Sequence, residues 1–176
     1  LDIPRGKLIF LLGASGSGKS TLLETLGMMN NTIVAGELMF NHKSGDETIH
    51  FEQLWDENDE NSIARIRKQH FSFIFQETNL MENFTAYENI CLSQMIQKDV
   101  TQNDAMTGAK ELMQKVRLPE QQVSTQTLAV NLSGGQRQRI AFVRTLNSGF
   151  TVLFGDEPTG NLDEENAREL MSILKK

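Results

Sequence analysis

Lys7-Leu-Ile-Phe-Leu-Leu-Gly13-Ala-Ser-Gly-Ser-Gly-Lys-Ser20-Thr-Leu-Leu-Glu-Thr-Leu26 is the stretch whose reading decides the fold. The apolar run Lys7–Leu12 predicts a short strand buried on both faces, with Phe10 in the core. Gly13–Ser20 follows as a glycine-rich loop, and Thr21–Leu26 reads as a helix. Strand, glycine loop and helix in that order open an α/β unit. The loop has phosphate-loop spacing: a glycine, four residues, then Gly18-Lys19-Ser20. Glycines are needed because backbone N–H groups must wrap phosphate oxygens with no Cβ in the way. Lys19 would place a charge at the β- and γ-phosphates, Ser20 would offer a hydroxyl to Mg²⁺, and the helix N-terminus would add its dipole. Gly13, Ala14, Ser15, Gly16, Ser17, Gly18, Lys19, Ser20 and Thr21 are thus candidate nucleotide contacts. This loop by itself does not separate kinase, GTPase, motor and transport ATPase.

Outward from the loop, Ile33–Phe40 and Thr48–Trp55 read as β segments around a polar turn, Asn41–Asp46. Asp56–Glu60 reads as an acidic, solvated surface loop. Phe71–Phe75 is a second buried strand stopping at Gln76. Thr85-Ala-Tyr-Glu88 has capping-box spacing, predicting a helix towards Ile96, and a further helix is expected from about Asp104 to Val116, stopped by Leu118-Pro119. Leu132-Ser-Gly-Gly-Gln136 opens another helix with Ser133 as N-cap. Thr151–Phe154 is a third buried strand, and Ala167, Leu170, Met171 and Leu174 mark one face of a last helix.

Composition narrows the classes. The 176 residues carry 17 basic and 23 acidic side chains, a formal charge of −6, which argues against a broad nucleic-acid-binding face. The longest aliphatic-aromatic run, Leu8–Leu12, is far below the ~20 residues of a membrane span. No signal-peptide pattern opens the chain, and the single cysteine, Cys91, cannot form an internal disulfide. Cys91 reads as a buried structural thiol and the eight methionines as core filler. Arg137, Arg139 and Arg144 read as helix-surface and ion-pair residues, and His42, His50 and His70 lack metal-site spacing.

Thr151-Val-Leu-Phe-Gly-Asp156-Glu157 is an apolar strand ending in two acids. Such a strand lets a phosphate-loop enzyme hold the waters of its magnesium through Asp156, while Glu157 can polarise a water for attack. Ser133, Gly134 and Gly135 at a helix N-terminus make a second anion site. With Leu132-Ser-Gly-Gly-Gln136 between these two elements, the sequence resembles the ATP-binding cassette family of ATPases, whose signature is that pentapeptide. Gln76 matches the family's Q-loop glutamine and Asn161-Leu162-Asp163 its D-loop. The strings FIFQETNL, TAYENI, LSGGQRQR and DEPTGNLD look most like the branch serving lipoprotein release, macrolide export and cell-division membrane proteins.

The resemblance implies an α/β phosphate-loop NTPase fold: a parallel-sheet core over about 1–83 and 147–176, an antiparallel β region near 33–55, and a helical subdomain over about 84–146. It implies ATP hydrolysis with Mg²⁺, powering a membrane permease from the inner face of the membrane. Two cassettes would sandwich two ATPs, each held by one chain's phosphate loop and the other's Ser133, Gly134, Gly135 and Gln136. Lys19, Gln76 and Glu157 form the implied catalytic set, with Glu157 the general base; Ser20, Gln76 and Asp156 serve the metal; Asp163 communicates across the dimer. The family's switch histidine lies beyond the D-loop and its adenine-stacking aromatic upstream of the phosphate loop; neither is matched, so a cassette lacking pieces at both ends is expected. Gly155 stands where a larger residue is usual. The alternatives are a soluble cassette ATPase acting on nucleic acid or ribosomes, and a nucleotide-binding module without turnover.

Overall fold

The computed structural model describes residues 2–41, 48–98 and 100–174. In chain order these give α1 (Lys19–Leu26), β1 (Met39–Asn41), β2 (Thr48–His50), α2 (Phe51–Asp56), α3 (Glu60–His70) and β3 (Phe71–Ile74). There follow α4 (Ala86–Lys98), α5 (Gln102–Lys115), a 3₁₀ turn (Ala129–Asn131), α6 (Gly134–Ser148), β4 (Val152–Gly155) and α7 (Glu164–Ile173). β3 and β4 pair in parallel with Phe71 opposite Val152 and Ile74 opposite Gly155, whereas β1 and β2 pair antiparallel with Met39 opposite His50. β3 is buried except at half-buried Phe73, whereas in β4 only Phe154 is buried and Val152, Leu153 and Gly155 are half-buried.

Two apolar clusters hold these elements. One face of the parallel pair packs with α3 and the β1–α2 region, through Phe71, Phe154, Phe51, Ile63, Ile66 and Met28. The Phe71 and Phe154 rings meet edge to face at 5.5 Å, and Phe40 meets Phe71 the same way at 5.2 Å. The second cluster joins α4, α5, α6 and α7, with Tyr87, Ile90, Met113, Ile140, Phe142 and Leu170 fully buried. Side-chain caps start α3, α4 and α5. Asp59 accepts from the Ser62 amide at 3.0 Å, Thr85 and Glu88 cap α4 reciprocally, and Thr101 caps α5. Beyond α5, Arg117 turns the chain at φ 54° and pairs with Glu169 (2.8 Å) and Glu165 (3.5 Å), tying the end of α5 to α7.

Three sequence expectations are overturned. Lys7–Leu12 is not a strand: among the described residues no strand lies beside it, and Phe10 is 66% and Leu12 91% exposed. An apolar run sets what a strand could bury, but a ladder also needs a partner edge. Phe10 is therefore not a core residue. In Ile33–Phe40, Gly36 takes φ 97° and breaks the extended run, while the Leu38 amide donates to the Glu52 carboxylate at 3.2 Å. Only the end of that segment, in β1, is a strand. Thr48–Trp55 divides, because Phe51, Leu54 and Trp55 have helical spacing and pack as α2 against the aromatic cluster. Asp56–Glu60 is exposed apart from half-buried Asp59, as expected of a solvated segment, and it makes the turn from α2 to α3 with Asp59 as N-cap. Of the expected turn over Asn41–Asp46, Asn41 ends β1, and the rest, with His42, lies outside the described residues.

Candidate functional site

The phosphate-loop segment is shaped by its glycines. Gly16 and Gly18 take φ 76° and 85°, conformations that a side chain disfavours, and a Cβ on Gly13 would sit 2.7 Å from the Ser17 hydroxyl. Gly18 is the N-cap of α1 and no side chain caps that helix. The first-turn N–H groups of α1 therefore point out of the helix end as donors for an anion. The Lys19 ammonium folds back over the loop and donates to the Gly13 carbonyl at 3.0 Å and the Ala14 carbonyl at 2.9 Å. Ala14 also accepts from the Ser17 amide at 3.2 Å, which closes the turn.

Ser20 and Asp156 line one cleft, between Glu24 of α1 and Phe75 beyond β3. The Asp156 amide donates to the Ile74 carbonyl at 2.8 Å, so the β3–β4 ladder fixes where the carboxylate emerges. Among the described residues, neither the Ser20 hydroxyl nor the Asp156 carboxylate hydrogen-bonds to protein, whereas Glu24 accepts from the Asn30 amide at 3.0 Å. A hydroxyl and a carboxylate facing one cleft are the hard oxygen donors that Mg²⁺ takes. Gly155 also gains its reason here. The Pro158 ring closes over it, and a Cβ would meet Pro158 Cγ at 3.2 Å.

Glu157 follows, exposed and in a left-handed conformation at φ 48°. Its carbonyl accepts from the Gly160 amide at 3.0 Å and from Gln138 Nε2 at 3.4 Å. Gln76 is exposed just past β3, and among the described residues no hydrogen bond joins it to Asp156. The Ser133 segment starts α6 with a full capping box: Ser133 Oγ accepts from the Gln136 amide (3.3 Å), and the Ser133 amide donates to Gln136 Oε1 (2.9 Å). Gly134 is open, while Gly135 faces Leu162, whose side chain would lie 3.5 Å from an added Cβ. Asp163 caps α7, accepting from the Asn166 amide at 3.0 Å and its side-chain nitrogen at 2.5 Å. Those bonds hold the Asp163 carboxyl below the usual carboxylate range. The structure thus makes two groups: the loop with Ser20 and Asp156, and the Ser133 segment with residues 161–163. Among the described residues no hydrogen bond joins the first group's loop to Ser133–Gln136.

Comparison with known proteins agrees with this layout. The sequence profile described as "ABC transporter" matches residues 1–160. The chain belongs to the ABC transporter family. The cassette is 33% identical over 175 residues to the lipoprotein-releasing system ATP-binding protein LolD of Francisella tularensis subsp. holarctica (strain OSU18), covering 99% of this chain and 70% of that protein. It is 37% identical over 175 residues to the macrolide export ATP-binding/permease protein MacB of Aggregatibacter actinomycetemcomitans, covering 99% of this chain but 25% of that longer protein. The solved dimeric structure of a bacterial ABC transporter cassette superposes with a TM-score of 0.85 at 30% identity, covering 100% of this chain and 71% of that one. A post-hydrolysis dimer of the same cassette, bound to ADP and Pi, gives 0.82 at 29% identity, with the same coverage. The α/β phosphate-loop cassette fold and the ATPase family expected from the sequence both hold.

Two residues of this cassette were not singled out for what they do. Arg144 was expected at the helix surface in an ion pair; instead it donates to the Thr78 and Asn79 carbonyls at 2.9 Å each, pinning the loop after Gln76. Burial lowers its pKa from the ordinary guanidinium value. Gln138, wholly buried in α6, bonds to both ends of the Glu157–Asn161 turn. Long side chains reaching other elements leave no periodic or local signal; only the polar letter inside an apolar helix face could have pointed to Gln138. Arg137 does pair with Glu82 at 3.3 Å, and Cys91 is buried, which raises its thiol pKa.

Proposed function

We propose that this cassette binds ATP with Mg²⁺, hydrolyses it, and works in a pair whose turnover drives a membrane permease. The observation that carries the reading is the shared cleft of Ser20, on the uncapped start of α1, and Asp156, at the end of β4. Backbone N–H groups of Gly13–Thr21 and the Lys19 ammonium bind the phosphates. Ser20 and Gln76 would hold the metal through oxygen, and Asp156 would hold its waters. When bound, Mg²⁺ neutralises charge developing on the β- and γ-phosphate oxygens. Glu157 accepts the proton of the attacking water.

Ser133, Gly134, Gly135 and Gln136 act on the nucleotide of a second cassette, and Asp163 communicates between the two. Support comes from the dimeric state of the solved relative and from the separation of the site into two groups. The named roles of the relatives in lipoprotein release and macrolide export support a permease partner and a place on the inner face of the membrane. Among the described residues no helix is long and apolar enough to cross a membrane, so the permease segments would be supplied from outside this domain. We assign the core to about 1–83 and 147–176 and a helical subdomain to about 84–146, the two packing together through Ile74 and Leu170, which share one apolar cluster with α4, α5 and α6.

The test is steady-state phosphate release by the full-length protein with and without Mg²⁺. Hydrolysis should require Mg²⁺ and fall about 10²-fold in Asp156→Asn. Equal rates in excess chelator would overturn the assignment.

A further inference from the structure

We propose that Gln138 is a positioning residue: its amide clamps the turn that carries Glu157 and ties that turn to the signature helix α6. The proposal rests on the reading of Glu157 as general base. Gln138 is 0% exposed inside an apolar helix face, where leucine would fill the same space without a polar group to satisfy. Both ends of its amide are used. Oε1 accepts from the Asn161 amide at 2.9 Å, and Nε2 donates to the Glu157 carbonyl at 3.4 Å. A carbonyl cannot donate and an N–H cannot accept, so these partners fix which way the amide points.

The two bonds land on the first and last residues of the Glu157–Asn161 turn, spanning it from one side. Within the turn the Gly160 amide donates to the same Glu157 carbonyl at 3.0 Å. That turn has something to resist, because Glu157 is held at φ 48°, a conformation disfavoured for any residue with a Cβ. Gln138 lies five residues after the Ser133 cap, on the same helix. Beside it, Gly135 faces Leu162 and the Asn161 carbonyl. Any shift of the signature helix is therefore handed to the Glu157 backbone through a single buried side chain.

In the full-length protein, Gln138→Leu should lower kcat about tenfold or more, because small misplacements of catalytic groups are costly. KM for ATP should stay within about twofold, since the nucleotide contacts are elsewhere. The same substitution in a Glu157→Gln background should change the residual rate by less than about twofold, the base it positions being gone. A merely structural role would lower both backgrounds by the same factor. Because Gln138→Leu could fail to fold, the unsubstituted protein supplies a second readout: the Asn161 amide should exchange with solvent about 100-fold more slowly than an open loop amide. Unchanged kcat in Gln138→Leu, an equal loss in both backgrounds, or an unprotected Asn161 amide would each overturn the clamp. Glu157→Gln hydrolysing at the parental rate would remove the base reading instead, a result obtained without touching Gln138.

Discussion

Removing the Lys19 ammonium separates what holds the loop from what holds the nucleotide. In Lys19→Ala, two hydrogen bonds are lost, at 3.0 Å to the Gly13 carbonyl and 2.9 Å to the Ala14 carbonyl. Both carbonyls belong to exposed residues, so water replaces the lost donor, and the cost to folding should stay below about 1 kcal/mol. Ligand binding behaves differently. The ammonium is placed over a loop whose remaining donors are neutral amides, and a charge-assisted contact to phosphate is worth roughly 1.5–3 kcal/mol, about ten- to a hundred-fold in Kd. Calorimetric titration with Mg-ATP, alongside thermal unfolding of both proteins, measures the two quantities separately. An unchanged Kd would refute the assignment of this loop to phosphate. A large fall in Tm would show instead that Lys19 is there to hold the fold.

Other predictions follow the same geometry. Gly27→Ala should cost about 1–3 kcal/mol in chemical denaturation, because its Cβ would collide with the Phe73 ring and force α1 away from the parallel strands; a neutral result would mean that the ring yields freely. Leu170→Ala should lose about 2–5 kcal/mol, since this 1% exposed side chain anchors α7 to the helical cluster. The Asp163 carboxyl titrates below its ordinary range because its capping bonds favour the charged form. Its stabilising contribution is therefore complete above the unfolded pKa and disappears as pH falls through the folded one. Asp163→Asn should flatten the acid limb of a stability-against-pH profile, and identical acid limbs would contradict the cap.

The sequence was most legible where one local cause suffices. Thr85 with Glu88, and Ser133 with Gln136, announce α4 and α6 by side chains that satisfy the first-turn amides of their own helices. Phe71–Phe75 and Thr151–Phe154 announce strands because each finds the other's edge. Lys7–Leu12 has the same apolar letters and no neighbouring edge, so the identical signal fails there. In Phe51–Asp56 the expected strand yields to helix, since Phe51, Leu54 and Trp55 reach the aromatic cluster only at helical spacing. At the site, the glycine loop was legible from its spacing, and the acids after β4 from an apolar strand read together with that loop. The grip of Arg144 on the Thr78 and Asn79 carbonyls was not, because it joins residues 65 and 66 positions apart.

The central claim is that this cassette turns ATP over with Glu157 as its base. Steady-state phosphate release by full-length Glu157→Gln, at saturating Mg-ATP, tests it most directly. The amide is nearly isosteric but cannot take up the proton, so turnover should fall about 10²-fold or more while the Kd for Mg-ATP stays close to that of the parent. Phosphate release at the parental rate would contradict the account.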